Sequence, residues 1–322
     1  MIFSKIRFFV FSLGLFAFTF LACTDSDLTP QPDQEQEQIN TEQLLSDIEY
    51  LSSDELEGRK TGTEGNKLAQ IFIKDRFVSL GLLPVNNSYE QPFEHVNSRS
   101  GEEFEQAVNL VGMIEGSAGN EDYIVITAHY DHLGVRGEDI YNGADDNASG
   151  TAGILAIAEY FSNQKPENNL LFIAFDAEEQ GLAGAYHFTE SPSVALTQIA
   201  LNVNLDMIST NFQNELYAVG TYHYPFLKPL VEEATADAPI NVLFGYDSDD
   251  WSQNWTLASD HGPFHLKGIP FIYFGVEDHE HYHQPSDVYE TINKEFFIHS
   301  VETIINVIQN FDRNLSSITD QK

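Results

Sequence analysis

Five stretches of the sequence bring imidazole and carboxylate side chains together, and none contains sulfur. They are His129-Tyr130-Asp131-His132, Asp145-Asp146, Asp176-Ala177-Glu178-Glu179, the single Asp206, and His279-Glu280-His281-Tyr282-His283. Nitrogen and oxygen donors without thiolates suit zinc, with cobalt or manganese as substitutes. Two divalent ions a few ångströms apart carry four positive charges, which three carboxylates and a bridging hydroxide cancel, so such a pair calls for two His and three acids. His129, Asp145, Glu179, Asp206 and His283 supply that set. Asp131 lies two residues past His129, on the same side of an extended chain, where it can accept the second ring proton and fix the ligating tautomer. Glu178 and Glu179 are adjacent and must diverge; one can bind metal while the other serves as general base toward the attacking water.

These groups need a scaffold that gathers them on one rim. Apolar residues at helical spacing mark helices at 41–50, 65–80, 148–161, 182–189, 225–234 and 295–310. Between them lie β-rich runs at 106–114, 123–128, 170–175, 200–208, 216–219 and 269–274, several of them apolar on both faces as a buried sheet requires. The alternation predicts an α/β protein: a three-layer α/β/α sandwich with a central mixed, mostly parallel sheet, formed by a single domain over 41–322. In such sheets reacting groups collect at the carboxyl ends of strands, and the His and acid clusters follow the strands at 123–128, 170–175, 201–205 and 269–274. Residues 209–258 read as an irregular excursion over one end of the sheet.

The chain has 322 residues, 50 acidic and 15 basic side chains, and a formal charge of -35, which excludes a nucleic-acid binder working through a basic face. Its 42% apolar content is enough to bury a large core in spite of that charge. Lys5 and Arg7 precede an apolar run from Phe8 to Ala22 that is too short to span a bilayer comfortably, so residues 1–22 read as a secretory signal. The run ends in Phe20-Leu21-Ala22-Cys23, which resembles a bacterial lipobox. Cys23 is the only cysteine, so no internal disulfide can form and the thiol is the expected lipid attachment point. Residues 23–40, rich in acids and Gln, read as a flexible tether. The expected location is the bacterial cell envelope, with membrane contact through the lipid alone.

Some features carry less. His279-Glu280-His281-Tyr282-His283 satisfies HExxH, but a strand ends just before it, Pro285 follows, and no apolar stripe supports the helix that motif needs; His279 and His281 are therefore expected on a loop. Asp247, Asp249 and Asp250 lack the Gly and terminal Glu of a calcium loop and read as a solvated turn. Ser149 lacks the strand–turn–helix elbow of a nucleophile. Ser259-Asp260-His261 reads as a helix start, and Tyr246, Trp251 and Trp255 as pocket lining or core.

The strings AHYDHLG, GADDNASG, DAEEQGLAGA, NLDMI, SDHGPF and HYHQPSD, in this order, resemble the family of bacterial di-zinc leucyl-type aminopeptidases, which also holds carboxypeptidases and animal-type glutaminyl cyclases. Leu56-Glu57-Gly58-Arg59 and Gly62-Thr63 match its approach segment, so the resemblance covers about residues 41–312. It implies two Zn2+ ions bridged by Asp145, with His129 and Asp206 on one ion and Glu179 and His283 on the other. It also implies Glu178 as general base, Asp131 behind His129, a cis peptide between Asp145 and Asp146, and a supporting place near the pocket for Asp260 and His261. The expected activity is removal of N-terminal residues from peptide substrates. A carboxypeptidase, for which Arg136 could supply the cation, a glutaminyl cyclase and a non-catalytic binding lipoprotein stay open as alternatives.

Overall fold

The computed structural model describes residues 39–322. The signal segment, Cys23 and the tether up to residue 38 lie outside the described residues. The last two tether positions belong to the folded unit instead: Ile39 is 7% exposed within the core, and the Asn40 side chain caps the first helix by accepting from Gln43 N at 3.2 Å. An apolar residue and a capping residue gain more by docking than by staying in solvent. Thr41, the expected cap, is the first helical residue.

Eight α-helices and eleven strands follow in chain order among the described residues. The helices are α1 (Thr41–Leu51), α2 (Glu64–Ser79), α3 (Gly150–Asn163), α4 (Ala183–Glu190), α5 (Lys228–Ala234), α6 (His261–Leu266), α7 (Lys294–Arg313) and α8 (Leu315–Thr319). The strands are β1 (Leu83–Pro84), β2 (Glu90–Val96), β3 (Glu103–Ile114), β4 (Tyr123–His129), β5 (Gly134–Arg136), β6 (Asp139–Tyr141), β7 (Asn169–Phe175), β8 (Ile199–Leu205), β9 (Glu215–Val219), β10 (Asn241–Leu243) and β11 (Phe271–Gly275). The main sheet runs β1-β3-β7-β4-β8-β11-β9-β10, with β2 also paired to β3. Its middle strands β7, β4, β8 and β11 are mutually parallel, while β3 and β9 flank them antiparallel. The sheet is therefore mixed with a parallel centre, as the sequence predicts.

Alternate residues of a strand face opposite layers, and β7 shows this directly. Leu170, Phe172 and Ala174 join the larger core, whereas Leu171, Ile173 and Phe175 join a second core with Phe188 of α4 and Phe264 of α6. α1, α2, α3 and α7 contribute to the larger core, and α4 and α6 cover the other face, completing three layers. α7 is rich in β-branched residues, which cost helix propensity up to about 0.7 kcal/mol each. Val301, Ile304, Ile305 and Ile308 are each fully buried on its inner face, and about 1.5–3 kcal/mol per side chain from burial outweighs that cost. Parallel strands point their carboxyl ends the same way, so β4, β7, β8 and β11 deliver their trailing loops to one rim.

Candidate metal centre

The register of the parallel strands decides which side chains meet. His129 ends β4 opposite Phe175 of β7, and Asp206 follows β8, whose Asn204 pairs with Thr127 of β4. His129 Nε2 consequently lies 3.3 Å from Asp206 Oδ1 and 3.4 Å from Asp146 Oδ1. On the other side of Asp146, its Oδ2 lies 3.0 Å from His283 Nε2 and 3.8 Å from His132 Nδ1. Glu179 Oε1 completes this side at 2.8 Å from His132 Nδ1 and 3.5 Å from His283 Nε2. Two donor groups result, His129/Asp146/Asp206 and His132/Asp146/Glu179, each with ligand atoms within 4.8 Å of one another and with Asp146 in both. His283 reaches the second group from the cleft, and His132 from the interior.

Asp146, not Asp145, is therefore the carboxylate shared by the two donor groups. Asp145 Oδ1 accepts from Ser209 N and Ser209 Oγ, both at 2.7 Å, and from Thr210 N at 3.1 Å. Its other oxygen meets His279 Nε2 at 2.9 Å. With both oxygens committed to that side of the loop, Asp145 has nothing left to offer the donor groups. The cis peptide likewise joins Asp146 to Asn147, one residue later than expected.

The loop carrying Asp146 is held from two directions. Asp287 accepts the N–H of Asp145 at 2.9 Å and of Asp146 at 3.1 Å, and its carbonyl takes Ala144 N at 3.2 Å. Since Asp287 is four residues past His283, one clamp ties two donor-bearing loops together. Arg59, fully buried, donates to Tyr130 O at 2.8 Å, Asn142 O at 2.5 Å, Gly143 O at 3.0 Å and also Leu51 O. It thus stitches the chain after His129 to the chain before Asp146, and its positive charge sits among Asp287, Asp146, Asp131 and Glu179. Gly143 has φ +57°, and a Cβ there would lie 2.1 Å from Asp146 O and 2.5 Å from the His132 ring, so only glycine permits this approach.

Asp131 sits behind the site with a broader role than expected. The closest acceptor for His129 Nδ1 is the Asp131 carbonyl, at 3.2 Å, with the carboxylate at 3.7 Å. The carboxylate instead receives Glu178 N at 2.9 Å and Glu179 N at 3.3 Å. Asp131 therefore sets the His129 tautomer through its backbone and the placement of the Glu178–Glu179 pair through its side chain.

Electrostatics separate the acids. Burial works against charge on Asp146, but His129, His132 and His283 outweigh it and hold its carboxyl well below the usual range. Glu178 goes the other way: burial, reinforced by Glu179, Asp260 and Asp206, pushes it well above the usual range despite His129. Burial also opposes charge on His129, but Asp206 and Glu178 overcome it and raise its pKa. The donors fit a divalent cation by a geometric test. His132 Nδ1 and Glu179 Oε1 approach to 2.8 Å, yet both are buried without a hydrogen-bond partner, and so is His132 Nε2. Polar atoms so close but not aligned with each other converge on a common point, as ligands do.

A cleft of about 610 Å³ opens onto the donors, with Trp255, Leu257, Tyr273, Val276 and Tyr282 among its walls. Asp260 is fully buried with both carboxyl oxygens unpartnered; burial, with Asp206 and Asp131 beside it and His129 opposing, pushes it up to about 8. His261 is driven down to about 3 by burial and so is neutral; it donates to Trp255 O at 2.8 Å and stacks on Tyr273. Tyr246 stacks on Trp255 at 4.0 Å and donates to Glu277, supporting that wall from behind. Arg136 packs over Tyr141 at 4.9 Å and is not part of the cleft.

The HExxH stretch is a loop, as expected, with His279 on Asp145 and His281 Nδ1 3.0 Å from Ser286 Oγ. Asp247 departs from the solvated-turn reading: it is buried and accepts the N–H groups of Gly220 and Tyr222, each at 2.9 Å. Asp146, His132, Asp287 and Arg59 were not singled out from sequence. Asp146 and His132 stand inside strings already noted, but nothing local distinguishes them from Asp145 and His129.

The profile of Peptidase family M28 matches residues 109–308. Aminopeptidase YwaD of Bacillus subtilis (strain 168) is 36% identical over 186 residues, covering 54% of this chain and 38% of that protein. Leucine aminopeptidase 2 of Trichophyton rubrum is 27% identical over 234 residues, covering 64% of this chain and 45% of that protein. The chain thus spans less than half the length of these relatives. Among solved structures, a glutaminyl cyclase of Porphyromonas gingivalis superposes with a TM-score of 0.70 at 19% identity, covering 84% of this chain and 98% of the other. A zinc aminopeptidase from Bacillus subtilis superposes with a TM-score of 0.67 at 19% identity, covering 84% and 94%.

Proposed function

The chain belongs to peptidase family M28, and from that premise we propose that it is a zinc aminopeptidase that removes N-terminal residues from peptides using two zinc ions. The observation that carries this reading is the Asp146 carboxylate shared by two donor groups. His129 and Asp206 would complete one ion and Glu179 and His283 the other, with His132 beside Glu179 as a further donor. Zinc held there would supply Lewis acidity toward the scissile carbonyl and toward an attacking water. Glu178 accepts the proton of that water on its carboxylate and passes it to the leaving amine nitrogen. Asp131 keeps Glu178 in place through its backbone N–H. The acidic floor of the cleft favours the substrate's α-ammonium group. The protein would act in the bacterial cell envelope, anchored by lipid on Cys23 once residues 1–22 are removed.

A three-peptide comparison tests the activity. A free leucyl anilide should be cleaved, its N-acetylated form should not, and a peptide beginning with Gln should yield free glutamine without ammonia. Release of the last residue from an N-acetylated peptide with a free carboxyl terminus would turn the reading to a carboxypeptidase, and ammonia release would turn it to a cyclase.

A further inference from the structure

We propose that Arg99 sets the substrate class of this cleft: peptides carrying a carboxylate close beyond the scissile bond, as short peptides with a free carboxyl terminus or peptides with an acidic side chain there do. The inference rests on the aminopeptidase reading and adds what the far end of the substrate must be.

Five acids line the cleft, Asp146, Glu178, Glu179, Asp206 and Asp278, and among the described residues Arg99 is its only Lys or Arg. The whole chain has 15 such cations against 50 acids, so a cation at this place is not background. The acidic floor draws in an α-ammonium group and repels a carboxylate, so an anionic group on the substrate is tolerated only away from the floor and beside a positive charge. A guanidinium suits that task because its fork matches both oxygens of a carboxylate.

The backbone of Arg99, whose side chain is exposed, is also held in place. It sits on the turn between β2 and β3, where Asn97 Oδ1 accepts the N–H of Arg99 at 2.9 Å and of Ser100 at 3.1 Å. Asn97 Nδ2 donates to Gln180 Oε1 at 3.0 Å, and the His95 ring donates to Gln180 O at 3.1 Å. Gln180 directly follows Glu179, so the turn is latched to the segment that carries the Glu178–Glu179 pair. Lys60, Lys74 and Arg76 are paired with acids, whereas the Arg99 guanidinium has no ion-pair partner among the described residues. An anchored backbone with an uncommitted charge at the cleft is the arrangement a ligand carboxylate requires.

The test uses the zinc-loaded full chain and three substrates with the same first residue: leucyl-alanine, its amide, and the amide of leucyl-glutamate. Wild type should favour at least one carboxylate-bearing peptide over the neutral amide by about tenfold or more in kcat/KM, chiefly through KM. Preference for leucyl-alanine identifies the terminal carboxylate as the ligand, and preference for leucyl-glutamate amide identifies the side chain. Arg99→Ala should bring the ratio near unity, Arg99→Lys should retain part of it, and Arg99→Glu should invert it; a residue that only shaped the turn would leave the ratio unmoved. Equal rates on all three peptides, or a preference that survives Arg99→Ala, overturn the proposal while leaving the aminopeptidase reading intact. If wild type cleaves none of the three, both fall together.

Discussion

Glu178→Gln is expected to lower kcat about 100- to 10,000-fold while leaving the zinc content per chain unchanged. Glu178 lines the cleft but belongs to neither donor group, so an amide there removes no ligand. Its backbone is fixed by Asp131 at 2.9 Å, and glutamine has nearly the same shape, so the substitution changes only the ability to accept a proton. Burial and the neighbouring acids push the Glu178 carboxyl upward, as suits a group that takes and returns a proton. Steady-state rates on a leucyl anilide beside metal analysis of the same sample check both halves. Near-normal turnover would remove Glu178 from the proton path, and lost zinc would make it a ligand.

Asp146→Ala is expected to release both ions together, whereas Asp145→Ala should retain both and lose stability instead. The two residues are neighbours in sequence with opposite commitments. Asp146 places one oxygen 3.4 Å from His129 and the other 3.0 Å from His283, so both donor groups depend on it. Asp145 satisfies Ser209, Thr210 and His279, and its loss leaves buried donors unpaired at about 1–3 kcal/mol. Zinc per chain after equilibrium dialysis, together with thermal unfolding, separates the two. Loss of both ions from Asp145→Ala with retention in Asp146→Ala would reverse the assignment.

The contrast between these neighbours shows what sequence pattern carries and what it lacks. The central strands are legible because burial on both faces forces continuous apolar runs: the run at 123–128 is β4 short of one residue, and that at 170–175 is β7 short of one. Strand β2 and the small β5–β6 hairpin are polar and half-exposed, so they lack that signature. His129, Glu179, Asp206 and His283 were legible because each trails a strand whose carboxyl end faces the rim. Asp146 was not, because its loop enters α3 through an irregular turn whose direction is set by Asp287 and Arg59 from distant segments. Arg59 lay in a noted string, but its work is tertiary, joining carbonyls from three separate stretches. Arg99 could not be told from any surface arginine until the β2–β3 turn was seen latched to Gln180.

The proposed site places one carboxylate, that of Asp146, between two ions. Diffraction data collected at the zinc absorption edge from zinc-loaded crystals test it most directly. Two anomalous peaks are expected to flank the Asp146 carboxylate, one beside His129 and Asp206 and the other beside Glu179 and His283. A single peak, or a pair with Asp145 between them, would contradict it.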